Sequence, residues 1–206
     1  MVKSLKLTVI VEDQRNPYVP NLKAQHGLCI YAEATVKNKV FPFLIDTGPS
    51  PEAIRRNVET LKVDLSKTEG IFLTHGHYDH TGGLLEVLKQ IDKKNVPIVA
   101  HPLIFEPKFS FKPVLKYIGI PFTLMEIKNH GASLLLSRTP VPLIDDVSTT
   151  GEIERVTSYE KVEGLWTVSR ERFIPDIVLD DQSPVSYTHL RAHETSLHLV
   201  CRLLLE

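Results

Sequence analysis

The sequence is poor in the residues that build small disulfide-held or membrane proteins. Its 206 residues include only two cysteines, Cys29 and Cys201, far apart in the chain. That spacing excludes a disulfide framework and leads us to expect a cytoplasmic protein. No long apolar run is present. The N-terminal "MVKSLKLTVIVED" is too short and too alternating for a signal peptide or a membrane span. Excess charge of either sign is also missing: 24 Lys and Arg face 25 Asp and Glu, a net charge of −1. With no clustered basic stretch, neither a nucleic-acid partner nor an anionic membrane is expected. We find no internal repeat and no low-complexity tract.

What is present suits one soluble domain. The length supports a sizeable core, and the 42% apolar and 24% charged shares are ordinary for a globular protein. Residues 5–13, 26–36 and 40–48 read as strands, the first two separated by a Pro- and Asn-containing loop. Ser50, Pro51 and Glu52 form a helix start: an N-cap, a proline in the first turn and an acid near the positive helix end. "GIFLTH" is a short apolar strand, "TGGLLEVLKQIDKK" an amphipathic helix and "VPIVAHP" a further buried strand. Strands alternating with helices predict an α/β sandwich. Beyond Pro102 the pattern weakens. Residues 102–122, aromatic and broken by prolines, read as an excursion over the sheet, serving as a substrate lid or as core filling. "GASLLLS" and "PDIVLDD" read as later strands.

The chemistry concentrates in "THGHYDHTGG". His75, His77, Asp79 and His80 form a His-x-His-x-Asp-His array directly after a buried strand. In an extended segment residues two apart point the same way, so His75, His77 and Asp79 are expected to project together, with His80 turned to the other side. Such an array can address two neighbouring metal ions. Imidazole suits zinc, iron or manganese, and the carboxylate shifts the preference toward harder ions. Gly76 permits a tight backbone, and Gly82 and Gly83 let the next helix approach closely. Asp46, in "LIDTG", ends a strand and reads by itself as part of a turn. His26 lines the cleft or caps a loop. His101, at a strand's C-terminal end where ligands bind α/β sheets, is a candidate substrate contact. "TTGEIER" offers Thr150 or Arg155 to a substrate phosphate, or is a surface turn with a helix start.

"THGHYDHTGG" preceded by "LIDTG" resembles the metallo-β-lactamase superfamily. The resemblance implies an αββα sandwich carrying a dinuclear site of divalent metal ions, zinc first, with manganese, iron or magnesium as alternatives. It puts His75 and His77 on one metal, Asp79 and His80 on the other, and Asp46 behind them as the residue that orients the ligand loop. Asp79 would also help position the water that reacts. Adding "LTVIVED", "HGLCIYAE", "AHP", "TTGEIER" and "DDQ", residues 5–183 resemble one branch of that superfamily. The branch contains dihydropterin ribofuranosyl-aminobenzene phosphate synthases and metal-dependent hydrolases. The implied activity is either condensation of a pterin diphosphate with a ribofuranosyl-aminobenzene phosphate, or hydrolysis of a small ester or phosphoester. The implied partner is a small-molecule substrate.

The same resemblance calls for a downstream histidine, a bridging acid and a final histidine, and the sequence carries none of them. It ends "SPVSYTHLRAHETSLHLVCRLLLE". His189, His193 and His198 could form a replacement ligand set, or the segment could be a terminal helix with Leu190, Leu197, Val200 and Leu204 on one stripe. It also resembles translated adapter or vector sequence. We therefore expect a sandwich incomplete at the C-terminus over residues 1–183, a non-native tail over 184–206 joined between Gln182 and Val185, and a non-catalytic fragment as the alternative to an enzyme.

Overall fold

The computed structural model describes residues 2–157 and 162–186. Among the described residues thirteen strands and four α-helices alternate. The largest unit is a six-stranded sheet built from β1 (Val2–Val11), β2 (Cys29–Val36), β3 (Lys39–Ile45), β4 (Gly70–Phe72), β5 (Val96–Ala100) and β8 (Ala132–Leu136), in the order β1-β2-β3-β4-β5-β8. β1, β2 and β3 are antiparallel neighbours, whereas β3, β4, β5 and β8 run parallel. The parallel half follows from the helices between its strands, because a crossover is needed to bring the chain back in the same direction.

Helix α1 (Pro51–Leu61) starts as the sequence predicts: the Ser50 side chain accepts the Ala53 N–H, and Glu52 lies in the first turn. It buries Ala53, Ile54 and Val58. Helix α3 (Leu84–Ile91) buries Leu84, Val87, Leu88 and Ile91, an i, i+3, i+4, i+7 stripe. Burying each such aliphatic side chain contributes about 1.5–3 kcal/mol. Both stripes meet one face of the sheet, where Cys29, Tyr31, Leu44, Ile71, Ile98 and Ala100 point. Gly82 and Gly83 permit this: a Cβ there would stand 2.2 Å from Pro49 O and 2.1 Å from Thr47 O.

Alternate residues Ile30, Ala32, Ala34, Phe43, Ile45, Phe72 and Val99 line the opposite face. That face is covered by a three-stranded sheet of β9 (Pro142–Ile144), β10 (Val147–Thr149) and β13 (Pro184–Ser186), ordered β13-β10-β9. Among the described residues the layers are therefore helix, large sheet and small sheet, the first three of the expected αββα sandwich. A third sheet, ordered β12-β11-β6-β7, joins β6 (Lys108–Ser110) and β7 (Lys116–Tyr117) to β11 (Leu165–Ser169) and β12 (Arg172–Pro175). The short helix α2 (Tyr78–Thr81) lies just before α3, and α4 (Leu124–Asn129), closed by a Thr123–Glu126 capping box, precedes β8.

Two expectations are corrected. The excursion 102–122 is partly a sheet, because Phe109 pairs with Trp166 and Tyr117. "PDIVLDD" is not a strand beyond Pro175: Asp176 and Asp180 turn inward to a buried lysine, and that demand breaks strand geometry. The expected join at residues 182–185 falls within described residues, where Gln182 bonds Thr74 and Pro184–Ser186 pairs with β10. His189, His193, His198 and the rest of the tail from residue 187 lie outside the described residues. Among the described residues no helix is long and apolar enough to cross a membrane.

Candidate metal centre

Because β3, β4 and β5 are parallel and nearly in register, their C-terminal ends reach one edge of the sheet. Asp46 follows β3, the Thr74–His80 loop follows β4, and His101 follows β5. Ligands of open parallel sheets bind at such an edge.

Asp46 is fully buried and has a φ of 58°, a left-handed conformation uncommon outside glycine. Its Oδ1 accepts the Thr74 N–H at 2.8 Å, and its Oδ2 meets both Thr74 Oγ1 at 2.8 Å and His80 Nδ1 at 2.7 Å. A turn-forming aspartate would not gather partners 28 and 34 residues away. These contacts settle the imidazole tautomers. The Thr74 hydroxyl spends its one proton on Asp46, so His75 Nδ1, 3.0 Å from Thr74 Oγ1, must be the donor there. His75 Nε2 is then left with its lone pair. His80 Nδ1–H donates to Asp46, which points His80 Nε2 the other way. His77 Nε2 is buried with no hydrogen-bond partner.

The rings are gathered: His75 lies 4.7 Å from His77 and 4.2 Å from His80, centroid to centroid. His80 Nε2 is 3.5 Å from Asp79 Oδ2. The expectation that His80 turns away is corrected. The extended segment ends at His77, and α2 begins at Tyr78, so the roughly 100° rotation per helical residue brings His80 back beside His75. Three imidazoles with available nitrogens and one carboxylate are a fitting donor set for a divalent ion such as zinc. Among the described residues, however, no three His, Cys, Asp or Glu side chains are closed into a ready coordination sphere.

The electrostatics separate the histidines. Burial, then His80, His77 and Lys108, hold the His75 imidazole well below its ordinary pKa. Burial and Lys108 lower His77 against the pull of Asp79, Asp180 and Asp176. Burial also pulls His80 down, but the charge and hydrogen bond of Asp46, helped by Asp79, raise it overall. Neutral imidazoles at His75 and His77 are the ligand-competent form.

His26 stands at the mouth, largely exposed, with Nε2 3.4 Å from Asp79 Oδ2. His101 is placed differently from expectation. It is fully buried; its Nδ1 accepts the Leu103 N–H at 3.1 Å and its Nε2 meets Glu152 Oε2 at 3.2 Å. With both nitrogens engaged it holds the turn after β5. Arg155 Nε donates to Ile177 O at 3.0 Å, and the guanidinium lies 3.9 Å from Asp181. Asp181, overlooked in the sequence, is close enough to the centre to interact electrostatically with Asp46 and His80. Burial, against Arg155, raises its pKa. Only its place in "DDQ" could have signalled it.

Residues 36–160 match the metallo-beta-lactamase superfamily. The chain is 34% identical, over 87% of its length and 63% of the other's, to a 7,8-dihydropterin-6-methyl-4-(beta-D-ribofuranosyl)-aminobenzene-5'-phosphate synthase of Methanocaldococcus jannaschii. It is 30% identical to an uncharacterised protein of the same organism, over 77% of this chain and 58% of that one. The chain thus spans about three-fifths of the length of these relatives. Among solved structures it is similar in fold to Tm1679, a metal-dependent hydrolase of the beta-lactamase superfamily, with a TM-score of 0.67, 18% identity, and coverage of 90% of this chain and 62% of that one. On the match over residues 36–160, the chain belongs to the metallo-beta-lactamase superfamily.

Proposed function

We propose that the chain carries metal ligands of a metal-dependent enzyme acting on a small, anionic substrate. The observation that carries this reading is the convergence of His75, His77 and His80, with His77 Nε2 buried and unpartnered. His75 and His77 would hold one divalent ion, and Asp79 and His80 a second, zinc being the first candidate. Bound there, the ions would supply Lewis acidity, a lowered pKa for a nearby water and a counter-charge for an anionic leaving group.

The chain's own residues have distinct tasks in this reading. Asp46 holds His80 by Nδ1 and, through Thr74, His75 as well, so both rings present Nε2. Asp79, as a ligand, would also orient the reacting water. His26, beside Asp79 at the mouth, is placed to meet an incoming substrate group. Arg155, tied to the 177–181 segment, is the candidate contact for a substrate phosphate.

The reaction is either a condensation displacing pyrophosphate from a pterin diphosphate or the hydrolysis of an ester or phosphoester. The similarity to the synthase favours the first, and the fold shared with Tm1679 is compatible with the second. Assays with the pterin diphosphate and aminobenzene substrate, set beside generic esters and phosphodiesters, separate the two. In either case activity is expected to vanish with chelator and with His77→Ala, and activity that survives both rejects the proposal. A second reading is a fragment without activity of its own; the chain covers 63% of the synthase's length. Such a chain would bind metal weakly and turn over neither substrate class.

A further inference from the structure

Lys108 is buried to 2% exposure in a part of the molecule that contributes no metal ligand. Its Nζ donates to Asp180 Oδ1 at 2.7 Å and to Asp176 Oδ2 at 3.2 Å. A buried ammonium between two carboxylates is costly to assemble and adds little stability over an apolar core, so its use lies elsewhere. The second oxygen of Asp180 indicates that use. Asp180 Oδ2 accepts the backbone N–H of Gly76 at 2.8 Å, across 104 residues of chain. Gly76 is the residue between His75 and His77. Two residues on, the Gln182 N–H donates to Thr74 O at 3.0 Å. The segment 180–182 thus lies along the backbone of 74–76 and is bonded to it at both ends.

The segment is held in a demanding shape. Val178 has a φ of 54°, a strained conformation for a β-branched residue, and Asp176 Oδ1 accepts its N–H at 2.8 Å. Gly76 itself has no room to shift toward its neighbours, since a Cβ there would stand 2.2 Å from Ile104 O. The two carboxylates divide the work. The Asp176 carboxylate accepts from Lys108 and from the Val178 N–H of its own loop, whereas that of Asp180 accepts from Lys108 and from Gly76 in the histidine loop.

We propose that Lys108 and Asp180 are positioning residues for the metal centre: Lys108 fixes the Asp180 carboxylate, and Asp180 fixes the peptide linking His75 to His77. The ion pair transmits the four-stranded sheet's position to the spacing of two imidazoles. This inference rests on the metal-site reading above.

The test uses the full chain and compares Asp180→Ala, Asp176→Asn and wild type. Zinc affinity is measured by competition with a chromophoric chelator, the ligand field by the visible spectrum of the cobalt-loaded protein, and stability by urea unfolding of the metal-free chain. Both variants disturb the Lys108 pair and are expected to lower the urea midpoint. Only Asp180→Ala is expected to weaken zinc binding, by about 10–100-fold, the range typical of lost partners behind metal ligands. It should also change the cobalt spectrum, with Asp180→Asn, which keeps an acceptor for Gly76, restoring most of both. Should Asp180→Ala not fold, the triple variant Lys108→Met/Asp176→Asn/Asp180→Leu removes all three charges together and is expected to show the same loss. Equal zinc affinities and equal cobalt spectra across the folded variants, or an equal loss in Asp176→Asn, overturn the positioning role. A wild-type chain that takes up no zinc rejects the metal-site reading itself, and the positioning role with it.

Discussion

The Asp46 carboxylate and the His80 imidazole meet at 2.7 Å, one residue leaving β3 and the other seated on the turn after β4. This contact, with the two that Asp46 makes to Thr74, ties the ends of two parallel strands together beneath the histidine rings. Asp46→Ala removes the acceptor for His80 and leaves the Thr74 N–H without a partner. Zinc affinity is expected to fall about 10–100-fold, and the chain to lose about 1–3 kcal/mol for the buried donor left unsatisfied. Chelator competition and urea titration check the two effects separately.

The histidines give the metal-free chain opposing pH dependences. His80 is raised in the fold, so its pairing with Asp46 stabilises fully below the unfolded imidazole pKa of about 6.5 and is lost as pH rises through the higher folded value. His75 and His77 are lowered, so the unfolded chain takes up their protons first, and stability falls as pH drops below about 6.5. Urea midpoints of the chelator-treated chain should decline on both sides. Asp46→Asn should flatten the alkaline limb only. Ring-resonance titration by NMR should show His80 protonating at higher pH than His75.

Gly76 leaves no space for a side chain, since a Cβ would lie 2.2 Å from Ile104 O and 3.2 Å from Asp180 Oδ2. Gly76→Ala must therefore displace the loop carrying His75 and His77. The expected cost is about 1–3 kcal/mol of stability, as for other overpacked sites, together with a marked loss of zinc uptake. Thermal unfolding and metal analysis of the variant measure both.

Cys29 is fully buried, and burial followed by the Asp46 charge pushes its thiol pKa well above normal. A buried, protonated thiol is a poor nucleophile. Iodoacetamide at mildly alkaline pH should leave Cys29 unmodified in the folded chain and alkylate it in urea, as read by peptide mass spectrometry.

Helices α1 and α3 and the central strands were legible because their signals are local. Ser50 and Pro51 mark the start of α1, and the stripe through Leu84, Leu88 and Ile91 marks α3. The His-x-His-x-Asp-His spacing was equally visible in the sequence. Three things were not. His80 turned back beside His75 because a helical turn starts one residue after His77, a boundary no spacing rule reveals. His101 looked like a cleft residue by its place at a strand end, yet Glu152 and the Leu103 N–H claim its ring. Lys108, Asp176 and Asp180 sit 68 and 72 residues apart in pairs, and such a contact leaves no periodicity to read.

The central claim is that the loop from His75 to His80 holds divalent metal. The most direct measurement is the zinc content, by mass spectrometry, of the full chain and of His77→Ala after zinc loading and desalting. The account predicts zinc retained by the wild-type chain and largely lost from His77→Ala. Equal zinc in the two proteins, or none in either, would contradict it.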